Sequence, residues 1–454
     1  MSRLRNVQGM WASRWTFILA AVGSAVGLGN IWKFPYITGE HGGGAFVLVY
    51  LACIAMVGIP IMVAEVMLGR RGRKSPVNSM IDVVKESKAS PLWVLIAWFG
   101  VLAGVLILSF YSVIAGWALE HIYAMASGDF NGVTADTANS MFETLLGNVP
   151  TLLAWHTLFI VMSLAVVIGG VVKGIGLAVR ILMPLLFIML LVLVWYAAQE
   201  GDFARAFNFL FALNFEALSW DAVLVAMGHS FFTLSLGMGA IMAYGAYMPE
   251  HAPVGKTIIM VALLDTVVAL VAGMAIFPIV FINGIEPSAG PGLMFVSLPV
   301  AFGNMLGGQI FGTLFFVLVA IAAWSSAISL IEPGVAYLVE HKGFSRLTAS
   351  LSLGGLAWAL GIGSALSFNI WADFTAFGMT FFDFLDFLTA NVMLPLGGVC
   401  IALFVGWVMK REFVRDELMD LSPKMFDALL FAVRYIAPAA VLLVFAMQLA
   451  EKFK

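Results

Sequence analysis

The sequence predicts an all-α integral membrane protein with eleven transmembrane helices, and three observations carry that prediction. Of 454 residues, 62% are hydrophobic and only 11% are charged, whereas a soluble domain carries roughly a quarter charged residues. Eleven apolar stretches approach or exceed the roughly 20 residues that cross a bilayer core of about 30 Å. Placing the N-terminus inside puts 18 of the 23 Lys and Arg residues on the inner face, the asymmetry expected of a multi-pass chain. The mean hydropathy of +1.01 agrees. A net charge of −3 and a pI near 6.1 leave no basic face for nucleic acid. Cys53 and Cys400 both fall in apolar runs and give no disulfide framework, and no N-x-S/T acceptor occurs.

The stretches are 13–38, 45–69, 91–125, 151–171, 174–198, 219–248, 254–283, 308–340, 345–367, 379–409 and 425–451. The first is preceded by a charged segment without a small-residue cleavage site, so a removable signal peptide is not expected. The outer segments 126–150, 200–218 and 284–307 are too short to fold alone. The chain 1–454 therefore reads as one domain. Its predicted location is a cell membrane, with the N-terminus cytoplasmic.

Two stretches contain what a continuous helix avoids. Gly23, Gly27 and Gly29 fall at mid-span in the first, followed by Pro35; Gly237 and Gly239 do so in the sixth. Each glycine costs a helix roughly 1 kcal/mol relative to alanine. Close helix packing accounts for one such run. Two runs at corresponding positions point to a five-plus-five inverted repeat, with 1–198 and 219–409 as its halves and 425–451 as an appended helix. Backbone released at that depth survives where it lines a cavity or binds something. Around the breaks stand Asn30, Thr233, Ser235, Ser325 and Ser326, neutral oxygen donors that suit a hard monovalent cation better than zinc or copper. Sodium is the ion this set favours.

The runs Gly23–Pro35, Gly42-Gly43-Gly44-Ala45-Phe46, Phe231–Gly239, Gly290-Pro291-Gly292-Leu293 and Trp324-Ser325-Ser326 together resemble the neurotransmitter:sodium symporter family, with its eleven-helix bacterial members and leucine-transporter-like fold. The resemblance runs over nearly the whole chain. It implies two bound Na+ ions. The first would use Ala25, Asn30, Thr233 and a group of the seventh span, with the substrate carboxylate; the second would use Gly23, Val26, Ala322, Ser325 and Ser326. It implies a substrate pocket of Ser24, Ala25, Leu28, Gly29, Ile107, Tyr111, Phe232, Thr233, Ser235, Met238, Ser326 and Leu330. Tyr111 would hold a carboxylate and Phe232 would close as a lid. Monoamine members carry aspartate where Gly27 stands, so glycine here implies an amino acid substrate. Ile107, Leu330 and the adaptable thioether of Met238 suggest a hydrophobic or aromatic side chain.

Ionisable residues at membrane depth each require an explanation. Lys33 takes the place of the family's outer-gate arginine, with Asp386 as its partner; interfacial snorkelling is the other reading. Asp265 falls at or one residue from a sodium-binding asparagine, where a fixed carboxylate would replace the chloride of animal relatives. The alternative is a buried aspartic acid bonded to a neighbouring helix. Glu65 matches a glutamate that supports the unwound sixth helix. Glu340 matches the acidic half of the inner gate, whose usual arginine is absent, leaving Arg5 as the substitute. His229 replaces a glutamine, either as a core residue or as a source of pH dependence. Gly174 and Pro184 frame a segment that either unwinds or is merely kinked.

The expected function is sodium-coupled symport of hydrophobic or aromatic α-amino acids, chloride-independent. Membrane lipid is the other expected partner, with no obligate protein partner. Same-fold alternatives are a betaine-like osmolyte transporter and an amino acid sensor. An intramembrane enzyme is remote, since neither H-E-x-x-H nor G-x-S-x-G occurs.

Overall fold

The computed structural model describes residues 9–287 and 292–452. Its helices, in chain order, are α1 (Arg14–Ala25), α2 (Gly29–Glu40), α3 (Gly44–Gly72), α4 (Pro76–Glu86), α5 (Pro91–Ser127), α6 (Ala135–Gly147), α7 (Val149–Ile168), α8 (Val171–Glu200) and α9 (Phe203–Phe211). They continue with α10 (Trp220–Thr233), α11 (Ala240–Ala246), α12 (Val254–Ile282), α13 (Leu293–Gly303), α14 (Gly308–Lys342), α15 (Arg346–Leu366), α16 (Phe381–Val408), α17 (Arg411–Glu417) and α18 (Pro423–Met447). Among the described residues no strand forms, only an isolated bridge between Ala376 and Met379.

Side-chain caps set many helix starts. Ser13, Thr134, Asn148, Ser219 and Ser345 each accept a backbone N–H in the first turn of the helix that follows. Thr380 and Asp383 cap α16 reciprocally. Each cap contributes about 1 kcal/mol. Outward faces remain apolar, as at Ile188, Leu191 and Trp195 of α8 and Leu351 and Leu356 of α15. A lipid solvent permits this.

Among the described residues nine helices are long and apolar enough to cross a membrane, and α1 with α2, bent by 53°, makes a tenth. The sequence predicts eleven spans. The one that differs, 219–248, is present as α10 and α11, each too short to span alone because the chain between them is unwound. This is a multi-pass helical membrane protein.

The most extensive seam is α5 on α14, and α1 packs on α8, α12 and α14. The two breaks therefore lie inside the bundle, enclosed by long unbroken helices. The Gly174–Pro184 segment is wound: α8 runs through Pro184 to Glu200. In this conformation the segment is not unwound.

Candidate cation and substrate site

The first break follows from residues 26–30. Val26 leaves the helical region at φ −73°, ψ 105°, and the chain resumes at Gly29. Asn30 holds the gap: its Oδ1 accepts the Gly27 N–H at 3.2 Å, and its own N–H donates to the Gly27 carbonyl at 3.2 Å. In the second break Ser235, Gly237 and Gly239 all adopt positive φ, at 54°, 79° and 75°. Glycine takes that conformation at no steric cost; serine does so against its preference. Glu65 of α3, fully buried, accepts the Gly237 N–H at 2.6 Å, so the expected support of the sixth span is in place. Glu65→Ala leaves that N–H unpaired, at a cost of about 1–3 kcal/mol. We expect it to weaken sodium-dependent ligand binding about tenfold, with Glu65→Gln closer to wild type, measured by scintillation proximity at fixed sodium.

The breaks bring the first oxygen cluster together. The Asp265 carboxylate accepts Asn30 Nδ2 at 2.8 Å and Thr233 Oγ1 at 3.2 Å. Asn30 and Asp265 are fully buried and Thr233 is nearly so. An unneutralised carboxylate in such a place is costly, so the cluster calls for a proton or a cation beside Asp265. The second cluster forms where α14 meets α1. Ser326 Oγ donates to the carbonyls of Gly23 and Val26 at 3.3 and 3.2 Å. Ser325 Oγ donates to the Ala322 carbonyl at 3.0 Å. Both donor sets are oxygens, as a hard cation requires, and no group of three or more His, Cys, Asp or Glu forms a metal cluster among the described residues.

Between the clusters lie the expected substrate contacts. The Leu28 N–H donates to Tyr111 Oη at 3.3 Å, which ties α5 to the first break. Ser235 Oγ donates to the Ser24 carbonyl at 2.8 Å, joining the two breaks directly. Ser24 Oγ donates to Ser329 Oγ at 2.7 Å. Ser329 is a member that sequence reasoning missed; it lies one turn beyond Ser325 and Ser326, and that spacing was the available signal. Ala25, Ile107, Met238 and Leu330 are buried on the same elements. A Cβ at Gly29 would stand 3.2 Å from the Phe232 ring, so Phe232 lies against the first break.

Above Tyr111 and Phe232 a cavity of about 390 Å³ opens, with Trp32, Trp117, Phe142, Phe295 and Phe368 in its wall. Lys33 and Asp386 both line it. Among the described residues they form no ion pair within 4.0 Å, and Lys33 Nζ instead lies 5.2 Å over the Phe232 ring. The pair expected as an outer gate is apart in this conformation. His229 sits between the rings of Phe34 and Tyr50 at 6.1 and 5.3 Å. Neither of its ring nitrogens has a hydrogen-bond partner, the setting of a core residue.

A buried network that the sequence did not reveal joins the start of α1 to α11, α14 and α15. Trp11 Nε1 donates to the Tyr244 carbonyl at 3.0 Å, and its ring meets those of Tyr244 and Tyr247 edge-on. Tyr247 Oη donates to Glu332 at 2.9 Å, and Glu332, fully buried, pairs with Arg346. Glu340 accepts the Ser75 N–H and the Asn78 amide at 2.8 and 3.0 Å, so it caps α4. Arg5, its expected partner, lies outside the described residues, as do Gly290 and Pro291. Breaking a buried pair from one side costs roughly 3–5 kcal/mol. Arg346→Ala is therefore expected to loosen this network, read as faster thiol labelling of a cysteine placed at Ser24.

A multi-pass helical protein with buried oxygens at two helix breaks and an aromatic-walled cavity beside them has the architecture of a secondary transporter and not of an enzyme. A profile of the Sodium:neurotransmitter symporter family matches residues 8–140 and 135–453. The uncharacterized sodium-dependent transporter YhdH of Bacillus subtilis is 36% identical over 448 residues, 98% of each chain. An uncharacterized sodium-dependent transporter of Haemophilus influenzae is 32% identical, over 97% of this chain and 98% of that one. The solved structure of MhsT in complex with L-phenylalanine superposes with a TM-score of 0.88 at 44% identity, covering 96% of this chain and 99% of that one. The chain belongs to the sodium:neurotransmitter symporter family.

Proposed function

We propose that this protein is a sodium-coupled symporter for hydrophobic or aromatic α-amino acids that works by alternating access without chloride. The observation that carries the reading is the buried Asn30–Asp265–Thr233 cluster at the junction of both helix breaks. The assigned pocket residues Ile107, Met238 and Leu330 are apolar. A relative of 44% identity solved with L-phenylalanine supports the same substrate class. Sodium at the first cluster neutralises Asp265 and draws the broken segments together, and a second sodium occupies the Gly23–Val26–Ala322–Ser325–Ser326 set. The amino acid carboxylate then lies beside the first ion and Tyr111, so each ligand favours binding of the other. Phe232, Lys33 and Asp386 close the outer path; Trp11, Tyr247, Glu332 and Arg346 must part before the inner path opens, with Arg5 and Glu340 beside them. The halves 1–198 and 219–409 are read as the two repeats, in a bacterial inner membrane with the N-terminus inside. Driving force comes from the sodium gradient and the membrane potential, about 2.3 kcal/mol per charge per 100 mV.

The test is uptake of a labelled amino acid panel into proteoliposomes under an inward sodium gradient. Leucine, tyrosine and tryptophan are expected to outcompete acidic and basic amino acids, with unchanged uptake when gluconate replaces chloride. Preference for betaine-like osmolytes, or binding without uptake, would replace this reading with an osmolyte carrier or a sensor.

A further inference from the structure

Away from the central site, the start of α5 and the middle of α16 enclose a groove of about 530 Å³, lined by Leu92, Leu95 and Phe99 on one side and by Leu396, Gly397 and Cys400 on the other. Leu92 is 72% exposed and Leu95 56%, so the slot opens to the surroundings of the bundle. At its end lies Ser90, where α4 turns into α5. Lys88 N–H bonds the Lys85 carbonyl and Ala89 N–H bonds the Val84 carbonyl, a tight turn that leads from both lysines to Ser90. Both lysines are exposed, and neither forms an ion pair among the described residues. The carboxylate between them in sequence, Glu86, is held by Arg71 at 2.6 Å. The groove is therefore apolar along its length, and two exposed lysines stand in the turn that leads into Ser90. A small polar solute would find few partners in it, and a neutral apolar one would leave the lysines unused.

The reverse sides of the same walls touch the second helix break. A Cβ at Gly100, next to Phe99, would stand 2.9 Å from the backbone of Met238. One at Gly397 would stand 2.7 Å from the Gly237 carbonyl. Nothing but backbone separates the groove from the unwound segment there. We propose that this groove binds one acyl chain of an anionic phospholipid, with its headgroup on Lys85 and Lys88, and that its occupancy tunes ligand affinity at the 234–239 segment. The site itself stands apart from the transport reading; the effect on affinity rests on it.

The full chain is placed in nanodiscs with phosphatidylglycerol carrying a diazirine on its acyl chain, and adducts are mapped by mass spectrometry. They are expected to concentrate on 90–99 and 396–400. Unlabelled phosphatidylglycerol should compete about tenfold better than phosphatidylcholine, and Lys85→Gln/Lys88→Gln should remove that preference. Adducts spread equally over the exposed face of α8, equal competition by phosphatidylcholine, or indifference to the lysine variant would each overturn the site. The second arm measures sodium-dependent L-phenylalanine binding in discs with and without phosphatidylglycerol. A shift of about fivefold is expected in wild type, and none in the lysine variant or in Cys400→Trp, which fills the groove. Correct adducts without the shift overturn the coupling alone. Absence of any sodium-dependent binding counts against the transport reading and leaves the site standing.

Discussion

Asp265→Asn is expected to raise the sodium concentration for half-maximal amino acid binding about 10- to 100-fold. A unit charge about 4 Å from a cation is worth up to about 4 kcal/mol at an effective dielectric of 20. The amide keeps an oxygen in place, so only part of that is lost. The neighbourhood offers no substitute: Asn30 and Thr233, which bond the carboxylate, are neutral, and the buried acid at the second break, Glu65, is committed to Gly237. Removing the fixed charge also removes the basis on which chloride-independent transport is proposed. Added chloride should therefore stimulate binding by the variant while leaving wild type unchanged. Sodium titrations of labelled leucine binding, with chloride and with gluconate, measure both effects. Unchanged sodium activation in the variant would show that Asp265 is only a buried acid tied to its neighbours.

Which of these features were readable beforehand follows from how each residue type signals itself. Gly27, Gly29, Gly237 and Gly239 announce both breaks because glycine at mid-span opposes a helix, and the structure breaks there. Asn30, Thr233 and Asp265 are polar in apolar runs and were found for that reason. Ser235 is expected there as an oxygen donor, but its positive φ of 54° is not, since a serine carries no mark of left-handed backbone. Phe142, Phe295 and Phe368 of the cavity read as ordinary apolar filling, because aromatic residues serve lipid faces and cavity walls alike. The buried network joins residues as far apart as Trp11 and Tyr244. Arg346 looked like one more basic residue of an inner loop, and Glu332 went unremarked. Lys33 and Asp386 are expected as a pair; they share a cavity wall without bridging, with Lys33 over the Phe232 ring instead.

The largest effect of a single side chain is expected at Gly27. A Cβ there would stand 2.5 Å from Ser326 Oγ and 2.9 Å from Tyr111 Oη, distances that real Cβ atoms do not tolerate. Ser326 also bonds the Gly23 and Val26 carbonyls, and Tyr111 holds Leu28, so neither moves without disturbing both assigned ion and substrate contacts. Gly27→Ala should therefore reduce amino acid uptake by about tenfold, in line with about 1–3 kcal/mol for overpacking. Gly27→Asp adds a negative charge where the substrate carboxylate is assigned. Like charges at that range in a poorly hydrated site repel by several kcal/mol, and uptake of amino acids should fall at least about 100-fold. The decisive measurement is a panel of paired substrates, each amino acid against the amine that lacks its carboxylate, assayed on wild type, Gly27→Ala and Gly27→Asp. Preference should move from the acid toward the amine only in the aspartate variant. Equal loss for both members of every pair would mean that Gly27 matters for packing alone, and that the substrate carboxylate lies elsewhere.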